Sequence, residues 1–85
     1  MAQRTLERLG EVLEAVLGVP RAGVVPAAHL DELAPIDSLA LAELASALDR
    51  EFEIQVPGEE LKTSLTVSEL VALVESSPPA GKPAS

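Results

Sequence analysis

Apolar residues recur at helical spacing in three separate stretches of the chain. The first stretch runs from Gln3 to Leu17, the second from Ser38 to about Phe52, and the third from Val67 to Val74. A repeat of three and four positions places such side chains on one face of an α-helix. The sequence therefore predicts three amphipathic helices. In the second helix we expect one apolar row facing the core, formed by Leu41, Ala45, Leu48 and Phe52, with Leu44 beside it.

Residues that start or stop helices flank these stretches. Gly18 fits the position after the first helix, because glycine accepts the left-handed backbone that often ends a helix. Asp37 predicts the N-cap of the second helix, since its carboxylate can accept hydrogen bonds from free backbone N–H groups. Thr66, with Glu69 three residues later, predicts a capping box at the start of the third helix.

The two connections between these helices are expected to be ordered. Residues 19–37 contain several apolar side chains, which predicts that this long loop packs onto the helices, with a short helical turn near Ala27 to Leu30. After the second helix, Ile54 and Val56 predict a short apolar anchor, and Glu59 to Thr63 predicts one helical turn. We expect an all-α fold: a small bundle of three main helices and one short helix, with a long first loop.

Composition limits the possible functions. The 85 residues include one Phe and no Trp, Tyr or Cys, so we expect one small aliphatic domain without disulfide or thiolate chemistry. The N-terminus lacks the long apolar segment of a signal peptide, and no segment is apolar enough to span a membrane, which predicts a cytoplasmic protein without a membrane partner. Residues 1–75 are predicted to form the domain, and residues 76–85, rich in Pro, Ser and Ala, a disordered tail.

Negative charge is concentrated in the middle of the chain. The net charge is −8, and residues 31–60 hold nine acids against one base, Arg50. The phosphates of a nucleic acid would be repelled by this segment, so we expect no such partner. A basic patch on a protein partner would be attracted to it. The alternative is a solvated acidic face that only maintains solubility.

Ser38 is the candidate for chemistry, because it follows the predicted N-cap. A phosphate ester on its hydroxyl would lie near the positive end of the helix dipole. The tripeptide Asp37-Ser38-Leu39 alone is typical of many ordinary helix starts. Further matching positions follow without a gap: Glu43, Glu51-Phe52, Val56-Pro57, Glu59-Glu60 and Thr66-Val67. With these positions, the chain from about Leu6 to Val74 resembles the acyl carrier protein family.

The resemblance implies an acyl-carrier-like bundle that is a freestanding, non-catalytic carrier. A phosphopantetheinyl transferase would attach 4′-phosphopantetheine from coenzyme A to Ser38, beside Asp37 and Leu39, and the thiol of this arm would hold acyl groups as thioesters. Further partners would be a ketosynthase, an acyltransferase or other acyl-processing enzymes with basic docking patches. The carrier that visits these enzymes would be a monomer. The resemblance places partner docking on acids in and after the second helix: Glu43, Asp49, Glu51 and Glu53.

Two departures from the family pattern bear on the pathway. Ala40 stands where many fatty-acid carriers have an acid, and Arg50 interrupts the acidic run. Both favour polyketide-type or other specialised biosynthesis over housekeeping fatty-acid synthesis, although a fatty-acid-like role stays open. Peptidyl carriers usually have Gly-Gly before the serine, and this chain lacks it. An aminoacyl or peptidyl carrier is therefore an alternative and not the first interpretation. Another alternative is an unmodified acidic helical module that only docks to a protein.

Autonomous catalysis has little support in the sequence. His29 is the single histidine, so neither a histidine-based zinc site nor a Ser-His-Asp triad is expected. We expect His29 to be a surface loop residue. No metal site is predicted.

Overall fold

The computed structural model describes residues 2–79. Along this part of the chain lie the helical elements α1 (Ala2–Leu17), a 3₁₀ turn (Arg21–Gly23), α2 (Leu30–Leu33), α3 (Ser38–Phe52), a second 3₁₀ turn (Gly58–Glu60) and α4 (Val67–Ser76). Three helices are long and α2 is a single turn, which confirms the predicted all-α bundle. None of these helices combines the length and the hydropathy needed to cross a bilayer.

The core is aliphatic and forms where α1 packs against α3 and α4. Among the described residues, no polar or charged side chain is buried. Full burial of one Leu or Val side chain contributes about 1.5–3 kcal/mol, so a core of this kind can hold a small domain together. The side chains with the least exposure come from all three long helices and from the connections: Leu9, Leu13, Val19, Leu30, Leu44, Leu48, Val67 and Leu70.

The buried face of α3 is rotated from the predicted row. Leu44, Ala47 and Leu48 are buried, whereas Leu41 and Ala45 are half-buried. Leu41 and Ala45 nevertheless pack against this core, as predicted. Their exposure has a structural reason, because both line an open groove on the surface of the bundle.

The helix ends follow the capping residues. Gly18 has φ 73°, the left-handed conformation predicted for the position after α1. Thr66 Oγ1 accepts a hydrogen bond from the backbone N of Glu69 at 3.0 Å, and Glu69 Oε1 accepts from Thr66 N at 2.9 Å. This confirms the capping box. α3 ends at Phe52, as predicted, but its cap was not predicted: Glu53 has φ 55°, and the backbone N–H groups of Glu53 and Ile54 both donate to the carbonyl of Asp49.

The long first loop is held against the segment before α4. Backbone N–H groups of Leu30 and Asp31 donate to carbonyls of residues 65 and 63, and those of residues 67 and 68 donate back to residues 28 and 26. These bonds keep the chain before Leu30 extended. For this reason α2 begins at Leu30, and the prediction of a helical turn near Ala27 to Leu30 was too early along the chain.

The chain after α3 is also anchored. Ile54 and Val56 are buried, which confirms the apolar anchor, but the turn that follows spans Gly58–Glu60 rather than Glu59 to Thr63. The backbone N–H of Gln55 donates to the carbonyl of Pro78 at 2.8 Å. Residues 76–79, the start of the predicted tail, thus contact the domain. Residues 80–85 of that prediction lie outside the described residues.

Candidate functional site

Ser38 is the first residue of α3 and its side chain is exposed. Asp37 is the N-cap: its Oδ1 accepts a hydrogen bond from the backbone N of Ala40 at 2.8 Å. The backbone carbonyl of Asp37 accepts the first helical bond, from Leu41 N at 2.9 Å. Because the cap fixes where the helix begins, it also fixes the Ser38 hydroxyl on the first turn.

The electrostatics of this turn favour an anion on Ser38. Backbone N–H groups at the start of a helix point outward without helical partners, and the dipole of α3 adds partial positive charge there. Negative charge near such a terminus is stabilised by about 0.3–1 kcal/mol at an exposed position. A phosphate ester on Ser38 Oγ would therefore be favourably placed.

Leu39 lies beside Ser38 and projects from the bundle. The side chain of Leu39 is 67% exposed. Among the described residues, the other exposed large apolar side chain is that of Val25, at 47%. The side chain of Leu39 does not pack against the core, so its apolar surface is available to another molecule.

An open groove starts at Ser38 and runs along α3 towards the second 3₁₀ turn. Its volume is about 350 Å³. The side chains around it are small or aliphatic, and Gly58 has no neighbouring atom within 4 Å of the place where a Cβ would stand. An apolar chain attached near Ser38 could rest in this space. The groove is lined by Ser38, Leu41, Ala42, Ala45, Gly58 and Leu61.

The four acids predicted for docking do not share one environment. Glu43 and Glu53 are exposed. Asp49 is half-buried, and its Oδ1 accepts a hydrogen bond from the backbone N of Val56 at 2.9 Å. Glu51 forms an ion pair with Arg8, with 3.1 Å between Nη2 and Oε2. Two of the four acids therefore have bonding partners within the domain, and Glu43 and Glu53 are the better candidates to meet a partner.

Arg8 was not singled out from the sequence. Besides the Glu51 carboxylate, its guanidinium contacts the backbone carbonyl of Glu51 and lies over the ring of Phe52, 4.8 Å from the ring centroid. One side chain of α1 thus fixes the C-terminal end of α3. The sequence shows only an arginine on the polar face of α1, so no local pattern could have found this contact.

His29 is exposed, as expected of a surface residue, but its ring is bound. Nδ1 lies 2.7 Å from the carbonyl oxygen of Ser64, and because a carbonyl only accepts, Nδ1 carries the proton. This hydrogen bond raises the pKa of His29, and the nearby carboxylates of Glu32, Asp31 and Glu69 add to the effect. Within residues 2–79, no cluster of three or more His, Cys, Asp or Glu side chains is arranged for a metal ion.

Comparison with known proteins assigns the family. Residues 7–74 match the family model described as "Phosphopantetheine attachment site". The chain is also similar to a protein named "Acyl carrier protein" from Thermobifida fusca (strain YX), with 31% identity over 70 residues that cover 82% of this chain and 89% of the relative.

These matches define a protein of the phosphopantetheine-bearing class. The chain belongs to the acyl carrier protein family, which confirms the resemblance seen in the sequence. The same matches imply a covalently attached 4′-phosphopantetheine. Since family members carry acyl groups and do not themselves catalyse reactions, the assignment also supports a non-catalytic role for this chain.

Proposed function

We propose that this chain is a freestanding acyl carrier that holds its 4′-phosphopantetheine arm on Ser38 Oγ. The observation that carries the proposal is the position of this hydroxyl: exposed, on the first residue of α3, directly after an N-cap that is formed. The groove beside it gives the attached arm a surface to lie on.

A phosphopantetheinyl transferase would attach the arm. Ser38 Oγ forms the new bond to phosphorus, the pyrophosphate bond of coenzyme A breaks, and the adenosine bisphosphate portion leaves. The hydroxyl proton would go to a base on the transferase, because the neighbouring carboxylate, that of Asp37, uses its Oδ1 to cap the helix at Ala40 N. The carrier contributes position: Asp37 holds the helix start, and the helix dipole stabilises the phosphodiester.

The arm supplies the thiol for thioester formation, a group that this chain lacks because it has no cysteine. An apolar acyl group on that thiol can be sheltered in the groove that begins at Ser38, against Leu41 and Leu61. Burial of apolar surface there would stabilise the carrier by roughly 25 cal/mol per Å² removed from water. Leu39 stays outside the groove, available to the enzymes that receive the arm.

Docking to those enzymes would use the acidic surface around α3. Glu43 on the helix and Glu53 directly after it are exposed and can meet basic patches on a ketosynthase, an acyltransferase or a related acyl-processing enzyme. The absence of an acid at Ala40 and the presence of Arg50 support polyketide-type or other specialised biosynthesis. A carrier of this kind would work in the cytoplasm as a monomer.

Intact mass measurement tests the attachment site. The protein is co-expressed with a broad-specificity transferase, alongside Ser38→Ala and Ser46→Ala, a matched change at another exposed serine of α3. We expect one added phosphopantetheine in the parent and in Ser46→Ala, and none in Ser38→Ala. Equal modification of Ser38→Ala would place the arm elsewhere. No modification of any form, while a known carrier is modified, would favour an unmodified docking module.

A further inference from the structure

The outer wall of the groove beside Ser38 is a short exposed turn. Gly58, in the second 3₁₀ turn, and Leu61, directly after it, line this groove. All three residues of the turn are exposed, and its hydrogen bonds close locally: Glu60 N donates to the carbonyl of Pro57 at 3.0 Å, and Leu61 N to that of Gly58 at 3.3 Å. The position of the wall therefore depends on how the flanking chain is held.

The chain between α3 and this turn is held from two directions. The backbone N–H groups of Ile54 and Val56 donate to the carbonyl and the side chain of Asp49, in the last turn of α3. Between them, the N–H of Gln55 donates to the carbonyl of Pro78 at 2.8 Å. Of the backbone-to-backbone bonds that the described chain donates between α3 and α4, only this one reaches a distant carbonyl. It links the groove wall to the segment after α4.

The segment after α4 is suited to lie extended against this chain. Ser77 directly follows the helix, and its Oγ donates to the carbonyl of Leu73 at 2.7 Å. Pro78 and Pro79 come next, and because their rings already restrict φ, ordering them costs less conformational entropy. Pro79 pairs with Ile54 as an antiparallel bridge. We name the three residues after α4 the C-terminal strap.

We propose that the C-terminal strap sets how far the groove beside Ser38 can open. With the strap seated, its bond to Gln55 holds the chain that leads into the turn Gly58–Glu60, and the wall stays close to α3. When the strap leaves, this chain keeps only its local bonds to Asp49, so the turn can move outward and the groove can admit a longer apolar group. The consequence for cargo rests on the proposed carrier function, whereas the movement of the wall does not.

Hydrogen exchange on the unmodified protein tests the movement. One variant ends at Ser76 and lacks the strap, and the control ends at Gly81 and keeps it. Without the strap, exchange at the amides of Gln55 and Glu60 should be about threefold to tenfold faster. The amide of Gly23 closes the other 3₁₀ turn in the same way and is the matched reference. Its exchange should not change, and the control should behave as the full chain does.

Two outcomes of this experiment would overturn the proposal. Faster exchange at Gln55 alone would mean that the strap binds without holding the wall, and no change at Gln55 or Glu60 would mean that it is not a tie. If removal unfolds the chain, seen as faster exchange throughout α1, the full-length variant with Pro78→Gly and Pro79→Gly decides. Glycine loosens the strap without removing it, and Pro83→Gly is the control. The same acceleration at Gln55 and Glu60 is expected, and its absence would overturn the proposal.

The loaded carrier tests the consequence for cargo. The rise in melting temperature on acylation is measured for octanoyl and tetradecanoyl groups, in the double glycine variant and in Pro83→Gly. The extra rise with tetradecanoyl should be larger in the double variant, because the freed wall lets more apolar surface be buried. An equal extra rise in both variants would refute control of the groove by the strap. Loading at Ser38 is read by mass, and wall movement is read without the arm, so failure of one proposal is distinguishable from failure of the other.

Discussion

His29 and Thr66 pair with each other as an antiparallel bridge, and each is the residue directly before a helix. In both cases the carboxylate of the third helical residue accepts a hydrogen bond from the backbone N–H of the residue before the helix. Glu32 accepts from His29 at 3.2 Å, and Glu69 accepts from Thr66 at 2.9 Å. The starts of α2 and α4 therefore lie side by side. This contact fixes the middle of the long loop, residues 19–37, that leads to Ser38.

The His29 contact predicts a dependence of stability on pH. The pKa of His29 is raised in the folded protein above its ordinary value of 6.5, chiefly by the Ser64 carbonyl. The charged ring therefore binds this carbonyl more strongly than the neutral ring does, although the neutral ring still donates from Nδ1. A raised pKa in the folded state means that the extra stability is fully present below 6.5 and is lost as the pH rises through the folded pKa.

His29→Gln is the variant that tests this, with urea unfolding measured between roughly pH 5.5 and 8.5. The carboxylates that face the ring belong to Asp31, Glu32 and Glu69. The difference in free energy of unfolding between parent and variant should be largest at the acidic end and shrink as the pH rises. A difference that stays constant, or grows with pH, would contradict the assigned cause.

Asp37 gives a prediction that links stability to arm attachment. Asp37→Ala removes the acceptor for Ala40 N, and loss of an N-cap of this kind costs about 1 kcal/mol of unfolding free energy. It should also slow modification of Ser38 by a transferase, because the first turn that holds the hydroxyl then frays. Asp37→Asn keeps a side-chain oxygen that can cap, so its unfolding free energy should stay near that of the parent. If Asp37→Ala were as stable as Asp37→Asn, the cap would not stabilise the helix start.

The sequence was sufficient to predict the features that depend on residues close together in the chain. Helix periodicity gave the three long helices, and the caps at Asp37 and Thr66 follow from side chains that reach only three residues ahead. The position of Ser38 at the start of α3 also follows from the Asp37 cap, whereas its role as the attachment residue stays a prediction that rests on the family resemblance from about Leu6 to Val74. The misplacement of α2 has a different origin, because the bonds that hold its start come from residues 63 and 65, more than thirty positions away along the chain.

The docking acids show the same limit. From the sequence, Glu43 and Glu51 are equivalent acids on one helix. Their roles differ because Arg8, on another helix, binds Glu51, and nothing in the local sequence of α3 encodes that contact. The distinction between an acid offered to a partner and an acid used within the fold is a tertiary property.

The Arg8 contact can be measured directly with a double-mutant cycle on Arg8→Ala and Glu51→Ala. Both side chains are nearly half exposed, 45% and 41%, so solvent screens the pair and we expect a coupling of roughly 0.2–1 kcal/mol. Arg8→Ala alone should cost more than this coupling, because it also removes the contact with the Phe52 ring, worth about 0.5–1 kcal/mol at an exposed site. Arg4→Ala, at another exposed arginine of α1, is the control and should cost less. A single-mutant cost no greater than that of the control would show that Arg8 does not fix the end of α3.

Gly58 tests whether the groove beside Ser38 shelters the cargo. A Cβ at this position meets no atom within 4 Å, so Gly58→Leu should fold with little change in the free energy of unfolding, but its side chain would occupy part of the groove. We expect attachment of an octanoyl group to the arm to raise the melting temperature of the parent, because apolar surface is buried. In Gly58→Leu this rise should be reduced. Gly23→Leu is the matched control, since a Cβ there also meets no atom and Gly23 does not line the groove, and it should keep the full rise. An equal rise in the parent and both variants would mean that the acyl chain does not rest against Gly58.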